Sequence, residues 1–179
     1  MTSPVHEALS TAKISAIHWE LRDAYMQDTD PWFAKWRSGW RPDRSEERWR
    51  SGWYAHVAQT VARGVDVRRL RVVSEPVTDY IRYEHDLTFA NVESGESVRW
   101  LPRTSAFDLL MPALDGWVVD GTLILHYWDG EGRPVSGRGE IQAGVSAEIC
   151  SDPEVGNLYS AAFDRLWERA IPHEDYVLR

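Results

Sequence analysis

GVDVRRLRVVSEPVTDYIRYEHDLTFANVESGESVRWLPR, residues 64–103, reads as strand, helix, strand. Val65, Val67, Leu70, Val72 and Val73 thread apolar side chains through Val65 to Ser74 in the manner of a strand. Ser74-Glu75-Pro76 is a helix start, with a proline near the first turn and Asp79 close behind. The helix from Pro76 to about Asn91 carries Val77, Tyr80, Ile81, Glu84 and Thr88 along one stripe and ends at Gly95. Ser97 to Pro102 is a second, short strand. A helical connection of this length predicts parallel pairing with a right-handed crossover. Charged and aromatic side chains crowd both ends of these strands, and strand ends are where open α/β sheets seat their ligands.

Upstream, Ile14, Ile17, Leu21 and Tyr25 recur at helical spacing, which predicts an amphipathic helix over Ser15 to Met26. Asp30-Pro31 is an N-cap followed by a first-turn proline, so a short helix bearing Trp32, Phe33 and Trp36 follows. A longer helix is expected from about Glu46 to Arg63, burying Trp49, Trp53, Val57 and Thr60 and stopping at Gly64. Downstream, Asp120-Gly121 joins Trp117–Val119 to Thr122–Trp128 as a hairpin. Residues 129–144 are Gly-rich and polar and read as a surface loop and candidate lid, of undetermined role. Asp152-Pro153 opens the last helix, which Pro172 ends. The expected class is α/β in one domain, 1–179. Helices come first (1–63), followed by an α/β core (64–179) with a mixed sheet, a βαβ unit, a hairpin and a C-terminal helix.

The composition bounds the function. With 179 residues and 43% hydrophobic content the chain can bury a core. A net charge of −8 argues against non-specific nucleic-acid binding. Arg37, Arg41, Arg44, Arg48 and Arg50 form one cationic group, and Arg63, Arg68, Arg69 and Arg71 another. The plainer reading of both is a solvated face paired with nearby carboxylates. Ten tryptophans favour an aromatic-lined pocket or interface. The lone Cys150 forms no internal disulfide and reads as a small core residue, and the apolar runs are too short to span a bilayer. The expected location is cytoplasmic, with no membrane partner.

Gly-rich phosphate loops, Cys-x-x-Cys, His-Glu-x-x-His and Gly-x-Ser-x-Gly are all absent from the sequence, so no cofactor and no metal are expected. Tyr80 to Asp86 (YIRYEHD) is the segment richest in chemistry. Glu84 and His85 are adjacent and point about 100° apart on a helix, which disfavours shared chelation, and Arg82 and Asp86 have the spacing of a surface ion pair. Glu75 follows the first strand and Arg103 the second, so parallel pairing makes them neighbours at one sheet edge. They either hold a ligand there or merely pin the helix start.

The strings VVSEPVTDYIRYEHDLTFANVESGESVRWLPR and FDRLWERAIPHEDY resemble a family of small actinobacterial proteins known only as domain of unknown function six-eight-seven-nine. The likeness runs from Ile17-His18-Trp19-Glu20 to the last helix. That family is commonly encoded beside helix-turn-helix regulators, which implies a regulatory accessory role. It is in turn similar to phospholipase-D-like effector domains, which implies a half of that fold. The His-x-Lys motif of true phospholipase D is missing, which argues against phosphodiester chemistry through a histidine nucleophile. Leu114-Asp115-Gly116-Trp117 stands where relatives read Asn-Asp-Phe-Trp, and the loop after Trp128 is longer and more Gly-rich.

The leading expectation is a non-catalytic accessory module of actinobacterial regulation that binds a small molecule or a helix-turn-helix regulator. Its crevice would be lined by Glu75, Tyr80, Tyr83, Trp100, Arg103 and Trp117. The alternative is a small enzyme of specialised metabolism using the same crevice, with Glu75 or His85 as catalytic base and Arg103 stabilising negative charge. A third reading is RNA or tRNA contact through the Arg-rich helices. The ligand, any reaction and the oligomeric state are not specified by the sequence.

Overall fold

A computed structural model describes residues 3–135, 141–142 and 145–179. The expected lid, 129–144, lies partly outside the described residues. The chain forms α1 (Pro4–Thr11), β1 (Ser15–Glu20), α2 (Pro31–Arg37), α3 (Gly52–Ala62), β2 (Asp66–Val73), α4 (Asp79–Glu93), β3 (Ser97–Pro102), β4 (Asp115–Val119), β5 (Thr122–His126), β6 (Ile141–Gln142), β7 (Val145–Cys150), α5 (Pro153–Arg169) and β8 (Ile171–Pro172). The mixed sheet has the order β6-β7-β5-β4-β1-β2-β3-β8. Strands β1, β2 and β3 are parallel, and β4 runs antiparallel to β1. The chain grows outward from β1 through β2 to β3, then returns to the other flank of β1 as β4. The strand order therefore reverses between β1 and β4, the kind of place where sheets of this class open a crevice.

The block 64–103 folds as expected, with one adjustment. The helix begins at Asp79, where the Thr78 side chain accepts the Ile81 N–H, and not at Pro76, which follows a cis peptide bond. Asp30 caps α2, and Asp152 caps α5 with Pro153 in its first turn. Asp120 and Gly121 take positive φ of 46° and 85°, as a two-residue hairpin turn of the primed kind requires. The helix expected over 46–63 is broken into a 3-10 turn, Glu47–Arg50, and α3, which opens at Gly52 with a φ of 55°.

The expected helix over Ser15 to Met26 is corrected to β1, so residues 1–63 are not purely helical but supply a central strand. Ala16, Ile17, His18 and Trp19 are all buried, whereas Ile14 is 72% exposed. Four consecutive buried side chains fit a strand covered on both faces; an amphipathic helix buries one stripe. The Asp120 carboxylate anchors the start of β1 by accepting the backbone N–H groups of Lys13, Ile14 and Ser15 at 2.7, 2.9 and 2.9 Å.

One face of the sheet packs on α5 through Ile17, Trp19, Leu70, Val118, Phe163 and Leu166. Gly156 makes this close fit possible, since a Cβ there would lie 2.1 Å from the Gly121 carbonyl oxygen. The other face carries Ala16, Val67, Trp117 and Ile124 against Val5 and Leu9 of α1 and Val57 of α3. Beyond α4 an aromatic layer holds Phe33 and Trp36 against Tyr80 and Tyr83. Among the described residues no helix is long and apolar enough to cross a membrane.

Candidate functional site

The sheet face opposite α5 is not fully covered. Between α1, α3 and α4 it leaves a cavity of about 380 Å³. His18 and Glu20 of β1, Arg69 and Arg71 of β2, Asp115 and Trp117 of β4 and His126 of β5 form the floor, and Tyr25, Trp53, Tyr80, Glu84 and Trp128 stand around it. Strand register assembles this floor. His18 pairs with Arg69 on one side and Trp117 on the other, and Glu20 pairs with Arg71. The period of two points all of these to one face.

The two arginines were expected on a solvated face. Instead Arg69 and Arg71 are buried, at 7% and 5% exposure. A β-strand in the middle of a sheet cannot turn these side chains to solvent, so carboxylates come to them. Glu20 bridges both, accepting from Arg69 Nη1 at 2.5 Å and from Arg71 Nε at 2.6 Å. Arg69 Nε donates to Glu96 at 2.9 Å, and Asn91 Nδ2 donates to the other Glu96 oxygen at 2.7 Å. Arg71 reaches Glu84 at 2.6 Å and Thr88 Oγ1 at 3.1 Å. Burial alone would raise the Glu20 carboxyl, but Arg71 and Arg69 outweigh it and hold the group at about 2. Burial works against the charge on both guanidiniums, yet their carboxylate partners raise them further above their ordinary value. The network sets three carboxyl groups against two guanidiniums, with Glu20 held in its charged form.

His18 stacks on Trp117 with ring centroids 4.0 Å apart and planes 9° from parallel. Burial, then the nearby Arg69, pushes its pKa well below 6.5, so the ring is neutral at pH 7. Its Nδ1 lacks a hydrogen-bond partner among the described residues; Glu20 Oε1 is 3.6 Å away. Asp115 accepts from the Tyr25 hydroxyl at 2.8 Å and from the Leu21 N–H at 2.7 Å. Burial outweighs those hydrogen bonds and lifts its carboxyl to about 6. Burial also raises the Tyr25 and Tyr80 hydroxyls, with Glu20 and Glu84 respectively the next causes, so both are neutral donors at pH 7.

The six residues expected around one crevice do not meet. Tyr80 and Trp117 line the cavity. Tyr83 donates to Asp30 at 3.1 Å and faces another hollow of about 370 Å³, bounded by Trp32, Trp40, Trp49 and Arg48. Trp100 is fully buried, stacked 5.4 Å from Tyr176. Glu75 accepts from the Tyr176 hydroxyl at 3.0 Å, while Arg103 turns to the Leu21 carbonyl at 2.5 Å and Ser74 Oγ at 3.4 Å. Parallel pairing is present, but each of the two found a separate partner. His85 packs against Trp100 and His173, at 5.3 and 4.6 Å between centroids. The catalytic candidates Glu75 and His85 thus gather around the Trp100–Tyr176 stack, away from the cavity. The surface pair expected of Arg82 and Asp86 is corrected as well, since Asp86 is taken by Trp36 Nε1 at 2.7 Å and by Arg41 at 3.5 Å. Among the described residues no three His, Cys, Asp or Glu side chains converge as metal ligands.

Several arginines of the Arg-rich segment lie over the chain's own aromatic rings, Arg41 and Arg44 while still largely exposed. Arg48 lies 3.9 Å over Trp32 and 4.5 Å over Trp49, Arg44 lies over Phe89 and Arg41 over Trp36. Sequence reasoning missed Glu20, Arg69, Arg71, Glu96 and Asp115 as site residues. Arg69 and Arg71, two apart and on the same face as Val67 and Val73 of one strand, were the available signal for a shared buried face.

A family profile described as Domain of unknown function (DUF6879) matches residues 4–178. No curated protein is similar enough in sequence to match. Among solved structures, Nuc from Salmonella typhimurium, a phospholipase D family member, is similar at a TM-score of 0.50 and 14% identity, over 94% of this chain and 87% of that one. TrmBL2, described as an archaeal chromatin protein with a novel mode of DNA binding, has a TM-score of 0.47 at 14% identity. That match covers 93% of this chain, which spans about half (48%) of the TrmBL2 length. The likeness to Nuc gives the fold, a mixed α/β sheet of phospholipase-D-like type.

Proposed function

We propose that this chain, which belongs to the family described as Domain of unknown function (DUF6879), is a non-catalytic module that binds a small molecule in the cavity over β1, β2 and β4. The observation that carries the reading is an open hollow of about 380 Å³ whose floor is a buried ionic network and whose sides are aromatic. Desolvated charge is costly, and a packed apolar core in its place is often as stable or more so. Ionic groups kept beside an open hollow where the strand order reverses are better accounted for by a ligand than by stability. Ligand binding would shift the population of whichever state a partner reads. A helix-turn-helix regulator is our proposed reader, on the sequence resemblance alone. The missing His-x-Lys motif and the excess of carboxylate over guanidinium both weigh against phosphodiester chemistry in this cavity.

The test is a thermal-shift screen with a chemically mixed library of small molecules. Hits should raise the Tm of the wild type and lose that effect in a folded Trp117→Ala variant. Hits that act equally on both proteins refute the cavity as the seat. A second, catalytic reading rests on Asp115, a carboxyl lifted to about 6 inside the cavity. Loss of a measurable conversion of a hit in Asp115→Asn at saturating concentrations of that hit would establish it.

A further inference from the structure

Taking the cavity as a ligand seat, we infer that its ligand is an organic cation, a protonated amine carried on a flat or ring-shaped body. Charge gives the first reason. Of the carboxylates lining the cavity, Glu20 and Glu84 have Arg69 and Arg71 as cationic partners, and each guanidinium is already shared between two carboxylates, the second on Arg69 being the buried Glu96. Asp115 adds a further carboxyl with no guanidinium on it; its hydrogen bonds come from Tyr25 and the Leu21 backbone. With Asp115 the lining sets three carboxyl groups against two guanidiniums, and an anion entering would meet occupied arginines.

The walls give the second reason. Tyr25, Trp53, Tyr80, Trp117 and Trp128 surround the floor. Aromatic faces are negative and attract ammonium groups, most strongly when water is excluded. Their rings are also held in place, Trp53 edge-on to Trp117 at 5.9 Å and Tyr25 edge-on to Trp128 at 5.3 Å. His18 also lines the cavity, 8% exposed and stacked on Trp117, and its neutral ring adds no positive charge to the lining.

An isosteric series separates charge from shape: tryptamine as the cation, indole-3-ethanol as the neutral analogue and indole-3-propionate as the anion. Affinities come from titration calorimetry at about pH 7.5, and the site from ¹H–¹⁵N NMR shifts in the full chain. Tryptamine should bind at least about tenfold tighter than indole-3-ethanol, with shifts centred on His18, Trp53 and Trp117. Asp115→Asn should narrow that ratio, and a ratio left at its wild-type value would count against the charge argument. Should the neutral or anionic probe bind as tightly as tryptamine with the same shifts, the cation inference falls and the cavity remains a ligand seat. Should none of the three move those resonances, the cavity reading falls with it.

Discussion

Replacing Arg69 by methionine is the sharpest perturbation of the network. Arg69 links Glu20, at 2.5 Å, to Glu96, at 2.9 Å. The two carboxylates would fare differently. Glu20 keeps Arg71 at 2.6 Å, but Glu96, with a side chain 0% exposed, is left with only the Asn91 amide at 2.7 Å. Breaking a buried pair in this way costs about 3–5 kcal/mol, because an uncompensated charge stays behind. That is a large share of the ~5–15 kcal/mol that stabilises an ordinary domain. Removing the stranded carboxylate as well should relieve much of the loss. Arg69→Met with Glu96→Leu should therefore be at least about 2 kcal/mol more stable than Arg69→Met alone. Urea unfolding followed by intrinsic tryptophan fluorescence measures both, with equal slopes required before the midpoints are compared. If Arg69→Met lies within about 1 kcal/mol of wild type, or the double variant is no more stable than the single, Glu96 is not the buried partner of Arg69 described.

Other expected outcomes follow from the same geometry. Gly156→Ala should destabilise by about 1–3 kcal/mol in chemical denaturation, since its Cβ would meet the Gly121 carbonyl oxygen at 2.1 Å; a neutral effect would mean that α5 does not lie on the hairpin turn. Asp120→Ala should cost about 1–2 kcal/mol by releasing three N–H groups at the start of β1, measured as faster amide exchange at Lys13, Ile14 and Ser15. Asp115, raised from 3.8 to about 6, binds a proton more readily folded than unfolded. Its contribution therefore favours the fold at low pH and declines as pH rises from about 4 to about 6. The stability of Asp115→Asn relative to wild type should accordingly increase over that interval and then level off, and a constant difference would contradict it. Glu20 acts in the opposite sense: its carboxyl is held at about 2, so its stabilisation is present above 4.5 and is lost as pH falls toward about 2. Glu20→Gln should flatten that limb of an acid-unfolding curve.

The legible parts of this fold were those with local signals. The 64–103 block, the Asp120-Gly121 turn and the caps at Asp30 and Asp152 each declare themselves within a few residues. β1 was not legible because Ile14, Ile17 and Leu21 mimic a helical stripe; only the burial of His18 and Trp19 side by side distinguishes a strand, and burial is a tertiary property. α1 has its own cap, Ser3 accepting the His6 N–H ahead of Pro4, and it passed unread. The site was harder still. The expected pairing of Glu75 with Arg103 rested on strand direction, which was right, but Tyr176 and the Leu21 carbonyl, distant in sequence, claimed the two side chains. The true floor depends on the register between β1, β2 and β4, and no short motif encodes register.

The most direct measurement labels the protein with 5-fluorotryptophan and titrates it with tryptamine while following ¹⁹F NMR. The account predicts saturable shifts of the cavity residues Trp53, Trp117 and Trp128, with the packed Trp19 and Trp100 unmoved. A silent Trp117, or shifts spread equally over core and cavity tryptophans, would contradict it.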